Sequence, residues 1–122
     1  MGWCSTTTRD REALERIIEC TDAINAYVER TGDNWSDDSM AVDAIAKRLE
    51  EIGEQAKRIT ADTLGAMPEI DWADVKGMRD VIAHDYMDVQ VEVVVDVVRD
   101  DLPGLRRAAC TALGVFGDRR QR

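Results

Sequence analysis

The chain has 122 residues, with 16 Lys and Arg against 25 Asp and Glu for a net charge of −9, and is 44% hydrophobic and 34% charged. At roughly 150 residues per domain this length argues for one domain over 1–122 and excludes a multidomain enzyme, while the apolar share excludes a disordered chain. The acidity excludes nucleic-acid binding by overall charge, so an anionic substrate must meet a local basic patch.

Three cysteines, Cys4, Cys20 and Cys110, form no C-x-x-C pair and point to a reducing, cytoplasmic setting rather than a disulfide framework. The chain has a single histidine, which leaves little for a metal site, and neither metal nor cofactor is expected. No run approaches the roughly 18 apolar residues of a membrane span. The start also lacks the apolar stretch of a secretory signal, so no membrane role is expected.

From Thr8 to Arg30, the residues Leu14, Ile17, Ile18, Thr21, Ile24 and Val28 recur at three- and four-residue spacing, which predicts an amphipathic helix. Thr31-Gly32-Asp33-Asn34 stops it. A second helix is predicted to start between Ser36 and Ser39, with Asp37 and Asp38 at its positive end. It is predicted to run to about Leu64 and to carry Val42, Ile45, Leu49, Ile52, Ala56 and Ile59 on one face. Gly65-Ala66-Met67-Pro68 reads as a turn, and Asp71 as the N-cap of a third helix from Trp72 to about His84.

The next stretch is ambiguous. Val89, Val91, Val93, Val95 and Val97 alternate like a strand, whereas Val91, Val94, Val95, Val98, Leu102 and Leu105 repeat like a helix. Helix is preferred, because a lone strand would leave its backbone groups unpaired. Pro103 marks a kink or a fresh first turn. The resulting fold class is all-α, an antiparallel bundle of four to five helices with both ends expected to fray.

On a helical wheel, Trp72, Val75, Met78, Ile82 and Tyr86 gather as a core face. Nearly opposite lie Gly77, Val81 and His84, with Asp80 and Lys76 beside them. Glycine inside a regular helix costs about 1 kcal/mol relative to alanine, so Gly77 suggests close approach by another backbone, a second copy of this helix being the nearest candidate. Asp80 precedes His84 by four residues, close enough to orient an imidazole and favour its charged form. Arg79 lies about 140° around the helix from His84, so a shared site needs an early helix end or a two-fold axis. The alternative is structural: His84 as a cation at the helix C-terminus and Arg79 as the surface ion-pair partner of Asp74, Asp80 or Asp85.

The stretch Gly77-Met78-Arg79-Asp80-Val81-Ile82-Ala83-His84-Asp85-Tyr86 resembles the R-x4-H-x-Y signature of HepT-like toxins in the HEPN superfamily. The segments 13–18, 48–58, 68–72 and 101–103 resemble that family's other characteristic stretches in order, so that the resemblance spans about residues 10–113. It implies a HEPN-like helical bundle acting as a symmetric homodimer. It also implies a minimal nucleotidyltransferase antitoxin as partner, in bacteria and archaea, and RNA, whether tRNA or mRNA, as substrate. Arg79 and His84 would carry metal-independent cleavage at the dimer cleft with Asp80 in support, and Tyr86 would be the tyrosine that the partner silences by AMP transfer. Lys76, together with Arg79, Lys57 and Arg58, would supply the RNA-binding patch if helices two and three are neighbours.

Two other readings compete. One is a non-catalytic binding or scaffolding subunit of a two-component nucleotidyltransferase, motivated by the acidic surface. The other is a plain dimerisation domain built on the stripe of Gly77, Val81 and His84.

Overall fold

The computed structural model describes residues 8–82 and 90–114. Helix α1 spans Thr8–Thr31, and a 3-10 turn at Trp35–Asp37 leads into α2 at Ser39–Ala56. Short helices follow, α3 at Ala61–Gly65, α4 at Trp72–Lys76 and α5 at Met78–Ile82. The last portion comprises α6 at Val91–Asp96, a π-helical turn at Val97–Asp101 and α7 at Leu102–Leu113. Every regular element among the described residues is helical, so the ambiguous valine run is helical from Val91 on, Val89 lying outside the described residues.

The apolar stripes explain the packing. Leu14, Ile17 and Ile24 of α1 and Ile45, Leu49 and Ile52 of α2 are fully buried against each other. Burying a side chain of this size contributes roughly 1.5–3 kcal/mol, so this pair of helices anchors the bundle. The two run antiparallel: Arg16 of early α1 bonds Glu51 of late α2, and Tyr27 of late α1 is met by Arg48 from the middle of α2. Helix α2 is central and also packs on α4, α5 and α6, while α7 lies on α1, where the Arg106 guanidinium meets Asp22 at 2.7 Å.

Helix starts follow their caps. The Asp38 carboxylate accepts from the Met40 and Ala41 N–H groups at 2.9 and 3.1 Å, which fixes the start of α2. Thr60 caps α3, and both are held by Asp10. That carboxylate, with no solvent exposure, accepts from Thr60 N–H at 2.9 Å and from the Thr60 and Thr63 hydroxyls at 2.7 and 2.6 Å.

Three expectations need correction. The second helix ends at Ala56 rather than about Leu64, because Arg58 and Ile59 N–H bond three residues back and Thr60 turns away to meet Asp10. The third helix is two short ones. Gly77, at φ −89° and ψ 3°, caps α4 and separates it from α5. The argument that Gly77 stands inside a regular helix and makes room for a second backbone therefore fails; a Cβ there would meet only its own preceding turn, Ala73 O at 3.4 Å. The close approach belongs to Gly53 of α2, where a Cβ would stand 2.9 Å from the Val75 carbonyl oxygen of α4.

Pro103 has no N–H to return to the preceding turn, and the chain answers with a wider one: the Leu102 N–H reaches back five residues to Val97 O. The expectation of a kink or fresh first turn at Pro103 thus takes the form of a π turn running straight into α7.

Candidate active site

The core face anticipated for the third helix is present despite the break. Trp72, Val75 and Met78 are buried and Ile82 has no exposure, and the Trp72 indole N–H donates to Met67 O at 3.2 Å. Because this face is anchored on α2, the opposite side of α4 and α5 is turned to solvent.

Arg79 and Asp80 are exposed, and Val81 is 54% exposed. Among the described residues Arg79 makes no ion pair or side-chain hydrogen bond, so neither Asp74 nor Asp80 occupies its guanidinium. No described side chain therefore stands between that guanidinium and an incoming anion. Lys76 is half-buried and likewise unpaired among the described residues. The neighbour relation assumed for the basic patch holds, since α2 packs on both α4 and α5. Two of the four cations are nevertheless engaged at home: Lys57 meets Glu54 at 3.2 Å, and Arg58 donates to Gln55 at 3.0 Å.

His84, Asp85 and Tyr86, the remaining site residues expected from the sequence, lie outside the described residues. The Gln90 N–H donates to Ile82 O at 2.9 Å, tying the start of α6 to the end of α5 on either side of that segment. Among the described residues no group of three or more His, Cys, Asp or Glu side chains is placed to hold a metal ion.

Beside α5 runs a groove of about 480 Å³, bounded by the 69–71 loop, α4 and α5 on one wall and by α6, the π turn and α7 on the other. Its apolar lining includes Ile70, Met78, Val81, Val93, Val97 and Leu105. Five carboxylates, Glu69, Asp71, Asp74, Asp100 and Asp101, also line it, and among the described residues no Lys or Arg does. The Asp101 carboxyl is pushed above its ordinary range by burial, then by Asp100, Asp74 and Asp96 around it. Sequence reasoning missed this groove. Its signal was the acidic run from Asp96 to Asp101, which only the π turn brings round to face Asp74.

The sequence profile of the family described as ribonuclease HepT-like matches residues 17–112. The chain belongs to the HepT-like family. A protein of Thermococcus cleftensis named a probable ribonuclease HepT is 33% identical, over 79% of this chain and 88% of the relative. A candidate RNase of Caldanaerobacter subterraneus subsp. tengcongensis is 26% identical, over 80% of this chain and 88% of the relative. A Methanocaldococcus jannaschii protein named as a gamma-glutamylcyclotransferase and candidate RNase is 29% identical over 76% of this chain, which spans only 42% of that relative. No solved structure matches the chain. The HepT-like match covers Arg79, Asp80, His84 and Tyr86 in one uninterrupted span. No helix of the described residues is long and apolar enough to cross a membrane.

Proposed function

We propose that this chain is the toxin of a type VII, HepT-like toxin–antitoxin pair, a single-domain cytoplasmic endoribonuclease acting as a homodimer. The observation that carries the reading is the HepT-like match across residues 17–112, together with an exposed Arg79 that no described acid occupies.

RNA supplies its own nucleophile. Cleavage requires removal of the 2′-hydroxyl proton, attack of that oxygen on phosphorus, and departure of the 5′-oxygen with a proton, leaving a 2′,3′-cyclic phosphate. In this reading His84 moves the proton, its ordinary pKa lying close to neutral. Arg79 holds the non-bridging phosphate oxygens as charge builds on them, a task its planar fork suits, and no metal takes part. Asp80 orients the imidazole from one turn earlier. Lys76 adds a cation for the RNA backbone. Tyr86 receives AMP from a nucleotidyltransferase partner, and the added phosphate repels RNA by charge and bulk.

The test is RNA cleavage by wild type and by Arg79→Ala and His84→Ala, each checked for helicity. Loss of cleavage by about 100-fold or more is expected in both variants. Undiminished cleavage in both would overturn the reading. The acid-lined groove favours a second reading, a binding or scaffolding subunit of a two-component nucleotidyltransferase. On that reading the wild type cuts no RNA, and Tyr86→Phe alters modification or complex formation only.

A further inference from the structure

The groove beside α5 is apolar along its floor and acidic along its rim, and RNA cleavage uses neither property. Leu105 and Met78 are buried in its base, while Val81 stands half out of it. Asp74 and Asp101 on opposite walls have no ion-pair partner among the described residues, and the cation nearest Asp101 along the chain, Arg99, is spent on Asp96 and Asp100. The π turn forms one wall, and such turns recur in proteins at working sites.

We propose that this groove receives a basic amphipathic helix of a protein partner, its apolar stripe against Val81, Val93 and Val97 and its Lys or Arg side chains against Asp74 and Asp101.

The charges select this occupant. A phosphate backbone is repelled by five carboxylates in one trough. A second copy meeting the groove about a two-fold axis would set the same acidic rim against itself. A helix with cations flanking an apolar face satisfies both features at once, in the manner of helix-in-groove recognition. The inference stands apart from RNA cleavage: a chain that cuts no RNA would present the same groove.

Gly104 makes the test clean. It lines the groove, and a Cβ there would meet nothing nearer than an Arg107 guanidinium nitrogen at 3.7 Å. Gly104→Leu therefore fills groove space without a clash inside the chain, in a helix that gains from losing glycine.

The experiment is fluorescence anisotropy of a labelled helical peptide of Leu and Lys, its leucines on one face, titrated with the full chain beside a scrambled peptide of identical composition. The expected result is binding about tenfold or more tighter for the amphipathic order, with a similar loss in Asp74→Asn/Asp101→Asn and in Gly104→Leu. Asp33→Asn/Asp43→Asn, which removes two exposed acids outside the groove lining, is expected to bind as wild type. Equal binding of the two peptides, or binding indifferent to the groove variants, refutes the assignment. So does peptide binding gained only when the chain is ended at Gly114, since the groove would then belong to the protein's own Arg119-Arg120-Gln121-Arg122 end. A concentration-dependent dimer that excludes the peptide, seen by light scattering, would assign the groove to a second copy instead.

Discussion

Asp10 has no solvent exposure and accepts hydrogen bonds from one backbone N–H and two hydroxyls, those of Thr60 and Thr63. An ionised side chain in that position is tolerated only because donors surround it. Asp10→Ala removes the acceptor and strands the donors, and breaks the tie between the first turn of α1 and the start of α3. A loss on the order of 3 kcal/mol is expected, well above the loss for substituting an exposed acid such as Asp43. Urea unfolding of the two variants checks it, and an equal midpoint for both would show that water replaces the carboxylate. Nothing in the sequence marks Asp10, since an acidic residue in a helix's first turn is ordinary; its partners lie about fifty residues on. The exposure of Asp80 was legible, because the wheel set it beside Val81 and away from Trp72, Val75 and Met78, and those three are buried, whereas Arg79 falls near Trp72 on the wheel and stood out only through the R-x4-H-x-Y resemblance.

At the scale of elements, α1 and α2 could be read directly because their stripes run uninterrupted for several turns. The ends of α2 and α4 could not. Lys57-Arg58-Ile59-Thr60 contains neither glycine nor proline, and the turn there is imposed by Asp10 from another helix. Ile59 stays buried across that break, so the apolar spacing continued after the helix had stopped. The close approach assigned to Gly77 belongs to Gly53 for a related reason. Sequence shows that a glycine is present, and only the packing shows which one faces a neighbour. Gly53 faces the Val75 carbonyl, with 2.9 Å left for a Cβ. In Gly53→Ala, about 1 kcal/mol of helix propensity is gained against overpacking that typically costs about 1–3 kcal/mol. A carbonyl oxygen cannot swing aside as a side-chain tip can, so the upper part of that range applies. Net destabilisation is expected, together with a shift of α4 and α5 relative to α2 and, on the proposed reading of the site, a loss of RNA cleavage at temperatures where the variant is still folded. Thermal melts paired with cleavage assays check this, and a variant as stable as wild type would show that α4 yields freely.

At the scale of the whole molecule, the net charge of −9 sets how stability responds to acid. Two carboxylates respond in opposite directions. Hydrogen bonding from Arg16 holds Glu51 below its ordinary range. A depressed carboxyl contributes stability that is present above its unfolded pKa and disappears as the pH falls through the folded one. Burial and three neighbouring acids hold Asp101 above its ordinary range. An elevated carboxyl works the other way: its ionisation disfavours the folded state, so stability is regained as the pH falls through its folded pKa. Both groups are partly exposed, so solvent screens each contribution. General self-repulsion of an acidic chain acts in the same direction as Asp101, since mild acid lowers the net charge. Stability is therefore expected to rise as acid first protonates Asp101, above the ordinary carboxyl range, then to fall at lower pH as Glu51, held below that range, takes up its proton. Asp101→Asn should raise the melting temperature at pH 7 and flatten that rise, leaving the acid limb unchanged. Thermal melts of both proteins from pH 3 to 8 decide it. A wild-type melting temperature that only falls with acid would mean that the ion pairs joining α1 to α2 and α7 outweigh the repulsion, and that the acidic groove adds no measurable strain to the fold.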